Sequence, residues 1–141
     1  MRAERVQKLK ALVGALSSEP TENLYWLIYE DGSESFDDYC KRCAADKAQV
    51  QTKIVIDGGW AKESDFLREC SQCGVQLRCW PTGLGARDEI YHAQKHKPST
   101  PADWWALRWA MEALVHADPM WELIERLLQQ WGITKESQDG T

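Results

Sequence analysis

The chain has 141 residues, an ordinary size for one domain, and its 43% apolar content with eight tryptophans supplies material for a packed core. A formal charge of −5 weighs against a protein whose main work is neutralising phosphates, because non-specific nucleic-acid affinity grows with the cations presented. No apolar stretch approaches the roughly 20 residues a membrane-spanning helix needs, so no membrane partner is expected.

The first twenty residues begin basic and hold only a short apolar run, Ala11 to Leu16, without a signal-type cleavage site. A cytoplasmic location is therefore expected, where thiols stay reduced. Val6, Leu9, Val13 and Leu16 recur at spacings of three and four, which predicts a helix over 3–17. Residues 17–23 break it at Pro20. "LYWLIYE" then has strand composition, and Asp31-Gly32 predicts a hairpin turn, since glycine accepts positive φ. Residues 44–53 suit a short helix or an exposed loop, "KIVIDGGW" a strand with a glycine stop, and "VQLRCW" a short strand ended by Pro81. A helix over 86–97 follows. Thr100, Pro101 and Asp103 spell a capping box at the start of a helix over 101–117, and Asp118-Pro119 restarts a helix that stops at Gly132. Residues 133–141 read as a flexible polar tail.

Two C-x-x-C pairs stand in the middle of the chain, Cys40 with Cys43 and Cys70 with Cys73. Each pair can wrap one corner of a tetrahedral zinc ion from a tight turn, and Gly74 gives the second turn its conformational freedom. The flanks "DDYCKRCAADK" and "RECSQCGV" are polar, unlike those of buried structural cysteines. A redox role would call for one such pair at a helix start in a βαβ setting. Zn2+ on Cys40, Cys43, Cys70 and Cys73 is the favoured reading, and Cys79 is expected to be a buried free thiol.

His92 and His96 have the i, i+4 spacing of metal-binding histidines, but Ala93 stands where a zinc peptidase carries its glutamate, and the surroundings are polar. They read as surface histidines. "PTGLGAR" lacks the lysine and spacing of a phosphate loop, and Asp37 and Asp38 read as a solvated face beside the first pair. No enzyme is expected.

The order of strand pair, C-x-x-C, "DGGW", "ESDF" and "ECSQCG" resembles a group of small zinc-ribbon proteins of uncharacterised role, frequently phage-encoded. Cys40, Cys43, Gly58, Gly59, Trp60, Glu63, Ser64, Asp65, Cys70, Cys73 and Gly74 carry the resemblance, with "PTGLGARDEIYHAQKH" matching loosely. It spans about residues 24–115 and implies a ribbon fold and a phage or prophage origin, without implying a reaction. The expected fold is thus α+β, a small antiparallel β zinc ribbon with an N-terminal helix and a C-terminal helical hairpin. One domain is expected over 1–141, with the N-terminal helix in 1–20, the ribbon in 21–85, a helical part in 86–132 and the tail beyond.

The C-terminal helices are rich in tryptophan. Trp104, Leu107, Met111 and Leu114 form one stripe, and Trp105 and Trp109 lie on a neighbouring face. Both faces can be core, packed on Met120, Leu123, Ile124, Leu127 and Trp131, or the rings can anchor a partner. The expected partner-binding residues are Trp105, Trp109, Glu112 and Trp121. Two functions follow. The first is a non-enzymatic, zinc-binding protein-protein interaction module, an inhibitor of a host defence (anti-CRISPR-like) or of a nucleic-acid-processing complex. The alternative is a zinc-ribbon nucleic-acid-binding or transcriptional regulator using Lys41, Arg42, Lys47, Lys53, Arg68 and Arg78. Nucleic acid is the less favoured partner, because acids interleave those cations and no Phe/Tyr platform accompanies them.

Overall fold

A computed structural model of the chain describes residues 2–50, 54–58, 60 and 62–133. Gly59, Lys53 and the expected tail beyond Ile133 lie outside the described residues. The protein is mixed α+β and divides into two compact units: residues 20–80, and the residues up to 19 together with those from 81 onward.

The helical unit begins with α1 (Ala3–Leu16), whose stripe of Val6, Leu9 and Val13 is buried. It packs against α4 (Pro101–Met111), which also packs against α3 (Gly83–Lys95). The Ser18 amide donates to the Pro101 carbonyl at 3.1 Å, and Lys10 approaches Glu112 at 3.8 Å. Arg5 pairs with Glu125 of α5 (Met120–Gln130). Leu107, Trp109, Ala110 and Met111 of α4 and Trp121, Ile124 and Leu128 of α5 are almost wholly buried, which makes this the tryptophan-rich core.

Local chemistry sets the helix ends. α4 has the full capping box: the Asp103 amide donates to Thr100 Oγ1 at 3.1 Å, and Asp103 Oδ2 accepts from the Thr100 amide at 3.3 Å. α3 starts three residues before the sequence predicts. Thr82 caps it by accepting from the Gly85 amide at 3.0 Å, so Gly83 and Gly85 are helical. Gly132, at φ 73°, ends the helical run after α5.

The other unit holds β1 (Glu22–Asn23), β2 (Tyr25–Ile28), α2 (Lys41–Val50), β3 (Ile54–Asp57), β4 (Glu63–Ser64), β5 (Arg68–Glu69), β6 (Gln76–Arg78) and β7 (Trp80–Pro81). β2 pairs antiparallel with β3, Trp26 opposite Ile56 and Leu27 opposite Val55. After β2 the chain turns at Gly32, φ 86°, and returns along it through bridges at Glu34 and Tyr39. β6 pairs antiparallel with β5 and parallel with β1, giving a three-stranded sheet in the order β1-β6-β5. The parallel pairing differs from the all-antiparallel ribbon expected. It joins strands over fifty positions apart, and such pairing leaves no local signature in sequence. β4 and β7 form a further pair.

Candidate metal centre

The two thiol pairs come from different kinds of local structure. Cys70 and Cys73 lie in the turn between β5 and β6, where the Gly74 amide donates to the Cys70 carbonyl at 2.9 Å and the Cys70 amide to the Val75 carbonyl at 2.8 Å. Gly74 has φ 80°, the left-handed conformation this knuckle needs. Cys40 and Cys43, by contrast, sit at the start of α2 rather than on a second strand turn. Cys40 directly precedes the helix, its carbonyl accepts from the Ala44 amide at 2.9 Å, and Cys43 falls in the first turn.

The four Sγ atoms all lie within 4.8 Å of one another, and Cys40 Sγ is 3.8 Å from Cys73 Sγ. Four sulfurs at about 2.3 Å from a tetrahedral ion stand about 3.8 Å apart, so this cluster has the dimensions of a metal site. All four are free thiols, and Cys40, Cys43 and Cys70 are buried. The donor set fits a thiophilic ion, with no fifth protein ligand required. Burial would raise the Cys70 thiol, but hydrogen bonds from the backbone at Cys73, Cys40 and Gln72 outweigh it and pull the group down to about 6. Burial pushes Cys43 up to about 12, helped by the surrounding thiols.

A charged pair joins the two halves of the centre. Arg68 Nη1 donates to Asp38 Oδ2 at 3.2 Å, Arg68 Nε donates to Ser64 Oγ at 2.8 Å, and the Ser71 amide donates to the Asp38 carbonyl at 2.9 Å. Asp38 is therefore not the solvated residue expected; it is 7% exposed. Burial raises its carboxyl, and Arg68 opposes that rise. The sequence does carry a signal for this pair: Asp38 and Arg68 each stand two residues before the first cysteine of a C-x-x-C.

Cys79 is buried, 3.9 Å from the Phe66 carbonyl, and is not among the four clustered thiols. His92, on α3, and His96, its C-cap, are both exposed and belong to the helical unit. Trp105, Trp109 and Trp121, expected as partner-binding residues, are 5%, 1% and 0% exposed and lie in the core of the helical unit. For Trp105 and Trp109 the physical reason is the company α4 keeps, since α1 and α3 both pack on it. The Trp121 indole N–H donates to the Val115 carbonyl at 2.8 Å. Glu112 is likewise committed, paired with Arg108 and near Lys10.

Two loops of residues 20–80 present exposed rings, and the Arg68 guanidinium lies over that of Phe66, 4.2 Å from its centroid. Phe36 is fully exposed and Phe66 is 56% exposed, and both line a groove of about 300 Å3 with Asp37, Glu69 and Ser71. Among the cations named for nucleic acid, Arg68 is paired with Asp38, and Arg78 donates to the Pro20 carbonyl at 3.1 Å, while Lys41, Arg42 and Lys47 are exposed. Among the described residues no helix is long and apolar enough to cross a membrane. Comparison of the chain with protein-family models, curated protein sequences and solved structures found no match.

Proposed function

We propose that the protein is a non-enzymatic interaction module in which one zinc ion on Cys40, Cys43, Cys70 and Cys73 fixes the loops that meet a protein partner. Zinc is the metal of choice because four thiolates at tetrahedral spacing suit it. A set closed by four protein ligands leaves no open position for substrate, which supports a structural role over a catalytic one. The observation that carries the binding role is the pair of exposed rings, Phe36 and Phe66, beside Asp37 and Glu69 at the groove next to the thiols. Exposed aromatic anchors with Asp37 and Glu69 beside them, and Arg68 held by Asp38, suit a basic protein surface: charge steers the encounter and a buried ring holds the complex.

The mobile-element origin and the inhibitor role, against a host defence or a nucleic-acid-processing complex, extend this reading and rest on the residue pattern around "DGGW" and "ECSQCG". The nucleic-acid reading keeps Lys41, Arg42 and Lys47 on α2 but loses Arg68 and Arg78 to contacts within the fold.

The test captures partners from a bacterial host lysate with the wild type and with a Phe36→Ser, Phe66→Ser double variant, quantified by mass spectrometry. The reading expects a defined protein retained by the wild type, depleted at least tenfold by the double variant, and unaffected by Lys41→Glu with Arg42→Glu. Retention of DNA or RNA instead, falling steeply with salt and abolished by the charge reversals, would establish the alternative.

A further inference from the structure

Glu89 and His92 stand one turn apart on α3, and His96, four positions after His92, is the extended residue that caps the helix C-terminus. They line a cavity of about 360 Å3 that Ser99, Asp103 and Leu107 also border. The two imidazole centroids are 5.0 Å apart, with their planes tilted by 39°. Two imidazoles bound to one ion through nitrogens at about 2.1 Å place their centroids roughly 4.5 to 5.3 Å apart for ligand angles from square to tetrahedral. The separation of the two rings falls within that range.

Charge in the cavity favours a cation. Glu89 is half-buried, so its carboxylate gains from positive charge nearby. The amides of Ser99 and Thr100, which would otherwise offer an anion the start of α4, already donate to Asp103 Oδ2 at 3.2 and 3.3 Å. Two carboxylates, Glu89 and Asp103, face a single ammonium, that of Lys97, among the lining residues.

We propose that His92 and His96, with Glu89 as the adjacent carboxylate, form a second metal site, for a divalent ion that favours imidazole such as zinc or nickel. It is made of residues other than the four thiols and stays open to water in its remaining positions. Having at most three protein ligands, it exchanges its ion readily, whereas the thiolate centre does not.

The full chain, carrying its thiolate-bound metal and freed of loose ions by a weak chelator, is titrated with Zn2+. Calorimetry follows the binding, and NMR follows the ring signals of the three histidines, His92, His96 and His116. One further equivalent is expected to bind, shifting His92 and His96 together and leaving His116 in place. His92→Ala and His96→Ala should each weaken it at least tenfold and Glu89→Gln several-fold, with the melting temperature unchanged because both rings are exposed. His116→Ala should leave binding intact. Absence of a further equivalent, equal shifts at all three histidines, or wild-type affinity in the His92→Ala, His96→Ala double variant would overturn the proposal.

Discussion

At Gly58 a side chain has nowhere to go: a Cβ there would stand 2.2 Å from Cζ3 of Trp26. The ring lies over the glycine, and the Lys62 ammonium sits 4.8 Å from its centroid. Gly58→Ala is expected to displace Trp26 and destabilise residues 20–80 by about 1–3 kcal/mol, the range for overpacking, as read by denaturant unfolding. Unchanged stability would show that the ring moves freely. The cysteines differ from one another in the same way, by environment. Backbone hydrogen bonds draw the Cys70 thiol down to about 6, whereas burial pushes Cys43 up to about 12, so Cys43 is the harder of the two to deprotonate. Metal uptake at pH 7 must therefore displace the Cys43 proton, so affinity rises with pH and the ion is released on acidification, as protons recapture the thiolates. A titration showing metal affinity flat between pH 6 and 8 would contradict this. For the tryptophans, burial predicts that Trp109→Ala and Trp121→Ala cost about 3–5 kcal/mol each. Phe36→Ala, at an exposed position, should stay within about 0.5 kcal/mol of the wild type. Equal effects at the three positions would refute the assignment of core and surface.

Among the elements, those whose start and stop are chemical are legible in the sequence. The capping box at Thr100 and Asp103, the turn at Asp31-Gly32 and the stripe Val6, Leu9, Val13 each set a local structure within a few residues, and each occurs where the pattern predicts. What the stripe cannot say is which surface covers it; α1 meets α4, nearly a hundred residues away, and that pairing depends on the finished core. The same holds for β1 beside β6 and for Trp105, whose burial follows from neighbours that helical periodicity does not name. The clustering of the four thiols was legible, because paired C-x-x-C spacing limits what they can do, but the start of α2 at Cys40 was not, since polar "KRCAADK" suits helix and loop alike. Hydrogen bonds from the backbone at Ser99 hold the Asp103 carboxyl below its usual range, opposed only by slight burial, with further bonds from the Ser99 side chain and Thr100. A carboxyl depressed in the folded state adds stability above its unfolded pKa and loses it as the pH falls through the folded value. Because Asp103 is exposed, that contribution is small and screened. Thr100→Ala should cost about 1 kcal/mol near neutral pH, measured by thermal unfolding, and less once acid has protonated Asp103. A cost that persists undiminished at low pH would separate Thr100 from the box.

For the molecule as a whole, the central claim is that residues 20–80 are organised around a metal ion. Their strands are only two to four residues long, and short strands without a large core need an added constraint to hold register. Under the proposed function, an ion on the four cysteines that converge from a helix start and a strand turn would supply it, coupling metal binding to folding of this unit, while the helical unit has its own tryptophan core. The most direct measurement is the mass of the intact chain under native and denaturing conditions, after expression in zinc-replete medium. The account predicts one zinc ion per chain in the native spectrum, lost on denaturation, and absent from a Cys40→Ser, Cys73→Ser variant. A wild-type chain that is metal-free yet keeps native-like chemical shifts throughout residues 20–80 would contradict it.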